Sequence, residues 1–97
     1  MLESSIERDF VRHCRAHNAV CLKQNALWYV NIPDRLVALP GGLCFFIELK
    51  RPGETPRPGQ EKRLRWLRRN GHRAYYADTL AKAIDIFDQE MKRASEY

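Results

Sequence analysis

At 97 residues with 44% hydrophobic content, the chain is sized for one globular domain, residues 1–97, burying roughly 60–65% of its unfolded surface. No apolar run nears the ~20 residues that a bilayer span needs, so no membrane partner is expected. A net charge of +5 suits a polyanionic partner, because Lys and Arg that bind phosphates release counterions.

The acidic, amphipathic start MLESSIERDF resembles neither a secretory signal nor a transit peptide, and the expected compartment is the cytoplasm. Ile6, Phe10 and Cys14 recur at helical spacing and predict an amphipathic helix over about 4–18. Ser4 and Glu7 have the spacing of a capping box, and Asn18 suits the helix end. His13 and His17 stand one turn apart, but no Cys pair or Glu completes a metal site, so they are expected on the helix surface. Cys14, Cys21 and Cys44 form no CxxC pair and are expected to be reduced and mostly buried.

AVCLKQ predicts a first strand. ALWYVNIPD is expected to be extended, with Pro33 at an edge or strand start because it cannot donate to a ladder. DRLVAL and LCFFIELK flank PGG, where Gly41 and Gly42 supply the positive φ of a tight hairpin. RPGETPRPG is a loop by its Pro and Gly content. A helix follows from Gln60 to the Asn70–Gly71 stop, then HRAYYA as a strand. Asp78 or Thr79 caps a last helix with Leu80, Ile84, Phe87 and Met91 inward. The order α-β-β-β-α-β-α is that of an α/β mixed sheet flanked by helices.

Chemistry concentrates in NIPDRLVALPGGLCFFIELKRPG. Side chains alternate along a strand, so Phe45, Ile47 and Leu49 share one face and Phe46, Glu48 and Lys50 the other. Antiparallel pairing across the Gly–Gly turn sets Asp34 beside Glu48. Two carboxylates in a half-buried place repel, and a hard cation such as magnesium resolves that conflict. Lys50 on the same face can orient a water or a phosphate oxygen, which completes the parts for metal-assisted phosphodiester hydrolysis. Taken alone, Glu48 and Lys50 read as a strand-end ion pair, since charged residues at strand ends are ordinary, and Pro33–Asp34 as a turn.

The joint pattern IPD, Gly–Gly hairpin and FFIELK resembles the PD-(D/E)xK nuclease superfamily. The fuller string ESSIERDF…CLK…IPDRLVALPGGLCFFIELKRPG…PGQ, from Glu3 to about Asp78, resembles its VRR-NUC branch, the virus-type replication-repair nucleases. The resemblance implies a restriction-endonuclease-like fold. It implies that Asp34, Glu48 and the Leu49 carbonyl bind Mg2+ (Mn2+ as substitute), that Lys50 is the catalytic lysine, and that Glu7 is the first-helix acid. Gln60 matches the glutamine that opens the helix after ExK. Gln60, Leu64 and Leu67 also share one helical face. Local alternatives stand beside these roles: a capping box for Glu7, and a bond to the preceding loop for Gln60.

Relatives commonly carry a Gly-rich loop before the P-D motif, where this chain has NALWYVNIPD. Trp28 and Tyr29 could stack on an unpaired base, although core or contact roles are the commoner use of large aromatics. Arg51, Arg57, Lys62, Arg63, Arg65 and Arg69 would grip backbone phosphates. The resulting expectation is a Mg2+-dependent, structure-specific endonuclease acting on branched DNA in the cytoplasm of a bacterial or phage-infected cell. A homodimer that resolves Holliday junctions, in DNA repair or recombination, is the favoured form. A flap nuclease and a non-catalytic nucleic-acid-binding module are the alternatives.

Overall fold

The computed structural model describes residues 5–24 and 30–96. Its elements run α1 (Ser5–Ala16), β1 (Val20–Lys23), β2 (Arg35–Ala38), β3 (Cys44–Leu49), α2 (Pro58–Arg69), β4 (Ala74–Ala77) and α3 (Leu80–Glu96). This is the α/β order expected from the sequence. The strands form one sheet in the order β1-β2-β3-β4. The first three are antiparallel, and β4 lies parallel to β3. Parallel neighbours need a crossover, which the loop after β3 and α2 provide. No helix among the described residues is long and apolar enough to cross a membrane.

Alternation along β3 gives the sheet two cores. Phe45 and Ile47 turn toward α1 and α3, where they are buried with Phe10, Cys14, Val37 and Phe87. The Phe45 and Phe87 rings meet edge-on with centroids 6.5 Å apart. Truncating such a phenylalanine typically costs about 3–5 kcal/mol. Phe46, on the other face, packs with Leu64, Leu67 and Ala74 under α2. Glu48 follows Phe46 on this smaller side.

The turns obey local chemistry. Gly41 and Gly42 adopt φ of +97° and +96°, and Leu39 N–H donates to Leu43 O at 2.8 Å to close the hairpin. Asn18, at φ +61°, ends α1 as its side chain permits. Thr79 caps α3, accepting from Lys82 N–H at 3.1 Å. Asp78 instead accepts from Gly53 N–H at 3.0 Å, which ties down the loop between β3 and α2.

Several expectations are corrected. Val30 and Asn31 form a turn rather than an extended segment, and Asn31 takes φ of +67°, which Asn tolerates better than most residues. Helix α2 starts at Pro58 rather than Gln60, because proline is preorganised for a first helical position. The buried face of α3 is Ala83, Phe87, Glu90 and Ala94, and Ile84 is only half-buried. Arg73 draws Glu90 inward through two hydrogen bonds of 3.1 and 3.3 Å, rotating the face away from the purely apolar stripe. Cys14 is buried and Cys21 half-buried, but Cys44 is exposed at the start of β3. Ser4, Trp28 and Tyr29 lie outside the described residues.

Candidate active site

The register of the hairpin builds the site. Arg35 pairs with Ile47, so one step further along the two strands Asp34 meets Glu48. The Asp34 backbone N–H donates to Glu48 Oε1 at 3.0 Å. Lys50 Nζ stands 3.4 Å from Glu48 Oε2, and Lys50 N–H donates to Ala77 O at 2.8 Å, continuing the pairing with β4 past the end of β3. From the other side, α2 delivers Gln60, whose Nε2 donates to Glu48 Oε2 at 3.1 Å. Gln60 Oε1 accepts the Arg57 N–H at 3.0 Å, so the side chain also caps the helix. The helix-start and site-facing roles of Gln60 are therefore both realised.

Glu48 is 3% exposed. Burial, reinforced by the Asp34 charge, pushes its carboxyl up to about 7, against the opposing pull of Lys50 and the Asp34 N–H. Near neutral pH the pocket thus resists a second negative charge. Lys50 already supplies part of the neutralisation that a cation would complete. Among the described residues no three His, Cys, Asp or Glu side chains converge as a metal cluster. A cation here would draw on two carboxylates, peptide oxygen and water, and that donor set fits magnesium.

Glu7 stands elsewhere. It accepts from Arg35 Nε at 2.8 Å and from Lys23 Nζ at 3.4 Å. Arg35 alternates with Val37 onto the α1 side of the sheet, whereas Glu48 faces α2. Asp34, Glu48, Lys50 and Gln60 come together, and Glu7 connects to this group through Arg35, the chain neighbour of Asp34.

No protein-family model matches the chain. It is 38% identical over 77 residues to the protein named "Putative nuclease p44" of Acyrthosiphon pisum secondary endosymbiont phage 1. That match covers 79% of this chain and 83% of the phage protein. A solved structure of a VRR-NUC domain has the same fold, with TM-score 0.79 at 20% identity over 86% of this chain and 90% of that one. The chain belongs to the VRR-NUC nuclease family.

The basic residues of this VRR-NUC chain divide by contact. Lys62, Arg65 and Arg69 are exposed on α2 and, with Arg68, line a shallow hollow of about 450 Å³. Arg51 and Arg57 are exposed in the loop ahead of the helix, and Arg63 is half-buried. Arg68 also has a structural task, donating from Nε to Ala74 O at 2.7 Å. Sequence reasoning missed Asn31 and Trp66, which line a groove with Gly59, Lys62, Arg63 and Arg69. The signal available for Trp66 was a large aromatic on the polar stripe of α2.

Proposed function

We propose that the protein is a magnesium-dependent endodeoxyribonuclease that hydrolyses phosphodiester bonds in branched DNA. In this proposal it acts as a homodimer on Holliday junctions, and Mn2+ can replace Mg2+. The observation that carries the reading is the Asp34–Glu48 juxtaposition, with Glu48 pushed up to about 7 and Lys50 Nζ 3.4 Å away. A module that only binds nucleic acid has no use for that costly arrangement. The phage relative supports a bacterial or phage-infected cytoplasm.

Asp34, Glu48 and the Leu49 carbonyl would hold the cation. Two steps past Arg35–Ile47, the register sets Pro33 opposite Leu49, and proline has no N–H to offer that carbonyl. Magnesium would supply charge neutralisation at the scissile phosphate and a more acidic water. Lys50 orients the water or a phosphate oxygen. Gln60 fixes the Glu48 carboxylate, and Glu7 positions the start of β2 through Arg35. Arg51, Arg57, Lys62, Arg63, Arg65 and Arg69 hold backbone phosphates, which positions DNA without reading its sequence.

One such unit covers little DNA, since single modules bury ~600–1,000 Å². A two-fold dimer offers two equivalent sites to a junction of approximate two-fold symmetry, and paired nicks follow from matched symmetry. Val20 and Leu22, on one face of edge strand β1, are 56% and 48% exposed, an apolar surface that supports a contact between copies.

Junction, flap and linear duplex of equal length, incubated with Mg2+, Mn2+, Ca2+ or EDTA, test the proposal. Expected are a dimer by sedimentation, paired junction cuts with Mg2+ or Mn2+, and binding without turnover in Ca2+. Preferred flap cutting by a monomer would favour the flap alternative, and full activity in excess EDTA would refute metal dependence.

A further inference from the structure

A groove of about 220 Å³ runs beside α2, lined by Asn31, Gly59, Lys62, Arg63, Trp66 and Arg69. It starts next to the site. Asn31 lies three residues before Asp34, and Gly59 immediately precedes Gln60. A Cβ on Gly59 would stand 2.5 Å from Asn31 Nδ2, so Asn31 closes onto the helix start only because that position is glycine. The far end is aromatic. Trp66 is 46% exposed, and its ring stacks on His72 with centroids 6.4 Å apart and planes 16° from parallel. His72 in turn meets Phe46 with ring planes perpendicular and centroids 6.1 Å apart, and Phe46 precedes Glu48 on the same face of β3.

The indole is thus held flat by a stack rooted in the strand that carries Glu48. Trp66 stands about 10 Å along α2 from Gly59, at 1.5 Å per residue. The walls between are cationic. Arg63 Nε is buried without a hydrogen-bond partner among the described residues. Arg65 pairs with Glu61 on the neighbouring stripe, whereas no carboxylate pairs with Lys62, Arg63 or Arg69 among the described residues. An aromatic plate beside uncompensated guanidinium and ammonium groups matches a base joined to a phosphate. The volume, below the ~300–1,000 Å³ of drug-sized sites, suits one nucleotide.

We propose that this groove is a subsite for one unpaired nucleotide of the substrate strand, its base stacked on Trp66 and its phosphate held by Lys62 and Arg63. The inference rests on the nuclease reading and deepens it. It makes single-stranded character beside the cut, as at a junction centre or flap base, part of what the protein selects.

The test is metal-free binding of the full chain to an end-labelled oligothymidylate and to a blunt duplex of equal length. Oligothymidylate should quench tryptophan emission, and Trp66→Ala should remove most of that quenching. The substitution should weaken oligothymidylate binding about 5- to 100-fold but duplex binding by no more than about twofold. Trp66→Phe should restore part of the loss, which a merely unfolded variant could not do. Arg63→Gln should lower the salt slope of oligothymidylate binding by about one. Wild-type oligothymidylate affinity in Trp66→Ala would overturn the subsite, as would equal losses on both DNAs. Weakened self-association at unchanged affinity would overturn it too, by assigning Trp66 to a contact between copies. None of these measurements involves cleavage. An inactive protein whose Trp66 is still quenched by oligothymidylate would sink the nuclease reading and leave the subsite standing.

Discussion

Gln60 bridges the start of α2 and Glu48: its Oε1 accepts the Arg57 N–H at 3.0 Å, and its Nε2 donates to Glu48 Oε2 at 3.1 Å. One amide therefore couples a helix cap to the buried carboxylate. Gln60→Ala removes both bonds and should cost about 1–2 kcal/mol. The expected readouts are a melting temperature lower by several degrees and a fall in kcat greater than any rise in KM. Gln60→Glu keeps the cap but faces Glu48 with a second carboxylate, so its melting temperature should fall more at pH 8 than at pH 5.

Asp34→Asn should abolish cleavage yet stabilise the metal-free protein at pH 8, by about 1 kcal/mol. The charge that helps push Glu48 up is removed, while the backbone N–H that Glu48 accepts is retained. Thermal melts in EDTA beside nicking assays would show the two effects moving in opposite directions. A less stable Asn variant would contradict the assigned repulsion.

Stability of the metal-free protein should fall between pH 4.5 and about 7. Glu48 lies above its ordinary value of 4.5 in the folded chain. Below 4.5 it is protonated both folded and unfolded. As pH rises to about 7, only the unfolded chain gives up the proton, so folding loses up to about 3 kcal/mol. Added Mg2+ should reverse this loss, with proton release on binding that is largest near pH 6 and small above pH 8. Calorimetry in two buffers of different ionisation enthalpy measures that release.

Lys50→Ala should remove cleavage and raise Glu48 further, because the ammonium 3.4 Å from Oε2 is one of the forces holding it down. DNA binding should weaken little, since most of the proposed phosphate grip lies on α2 and the loop ahead of it. Gel shifts in Ca2+ separate binding from turnover.

Glu7→Ala should be chiefly a folding mutation. Breaking one side of a buried ion pair typically costs about 3–5 kcal/mol, and Glu7 is the acceptor for Arg35 at 2.8 Å. Activity measured well below the melting temperature should then retain a substantial fraction of the wild-type rate. Complete loss in a fully folded variant would place Glu7 in the chemistry itself.

Local rules carried the sequence a long way. Alternation in LCFFIELK separates Phe45 and Ile47 from Glu48 whatever surrounds the strand. A Gly–Gly turn sets an antiparallel register, which in turn makes Asp34 and Glu48 neighbours. The 3.6-residue period groups Gln60 with Leu64 and Leu67. Each of these relations spans one element or one hairpin, where backbone geometry alone decides who meets whom.

Other relations join elements whose distance and tilt depend on the whole packed core. The burial of Glu90 under Arg73, the pairing of Glu7 with Arg35 across the α1 side, and the hydrogen bond from Gln60 into Glu48 belong to this class. So does the groove between Asn31 and Trp66, whose walls come from a turn and a helix that share no periodic pattern. No spacing in the chain encodes these contacts. The Gln60–Glu48 bond and the groove arise where the crossover sets α2 against the end of β3, the other two pairs where α3 and α1 pack on the sheet, and only the folded sheet holds those placements.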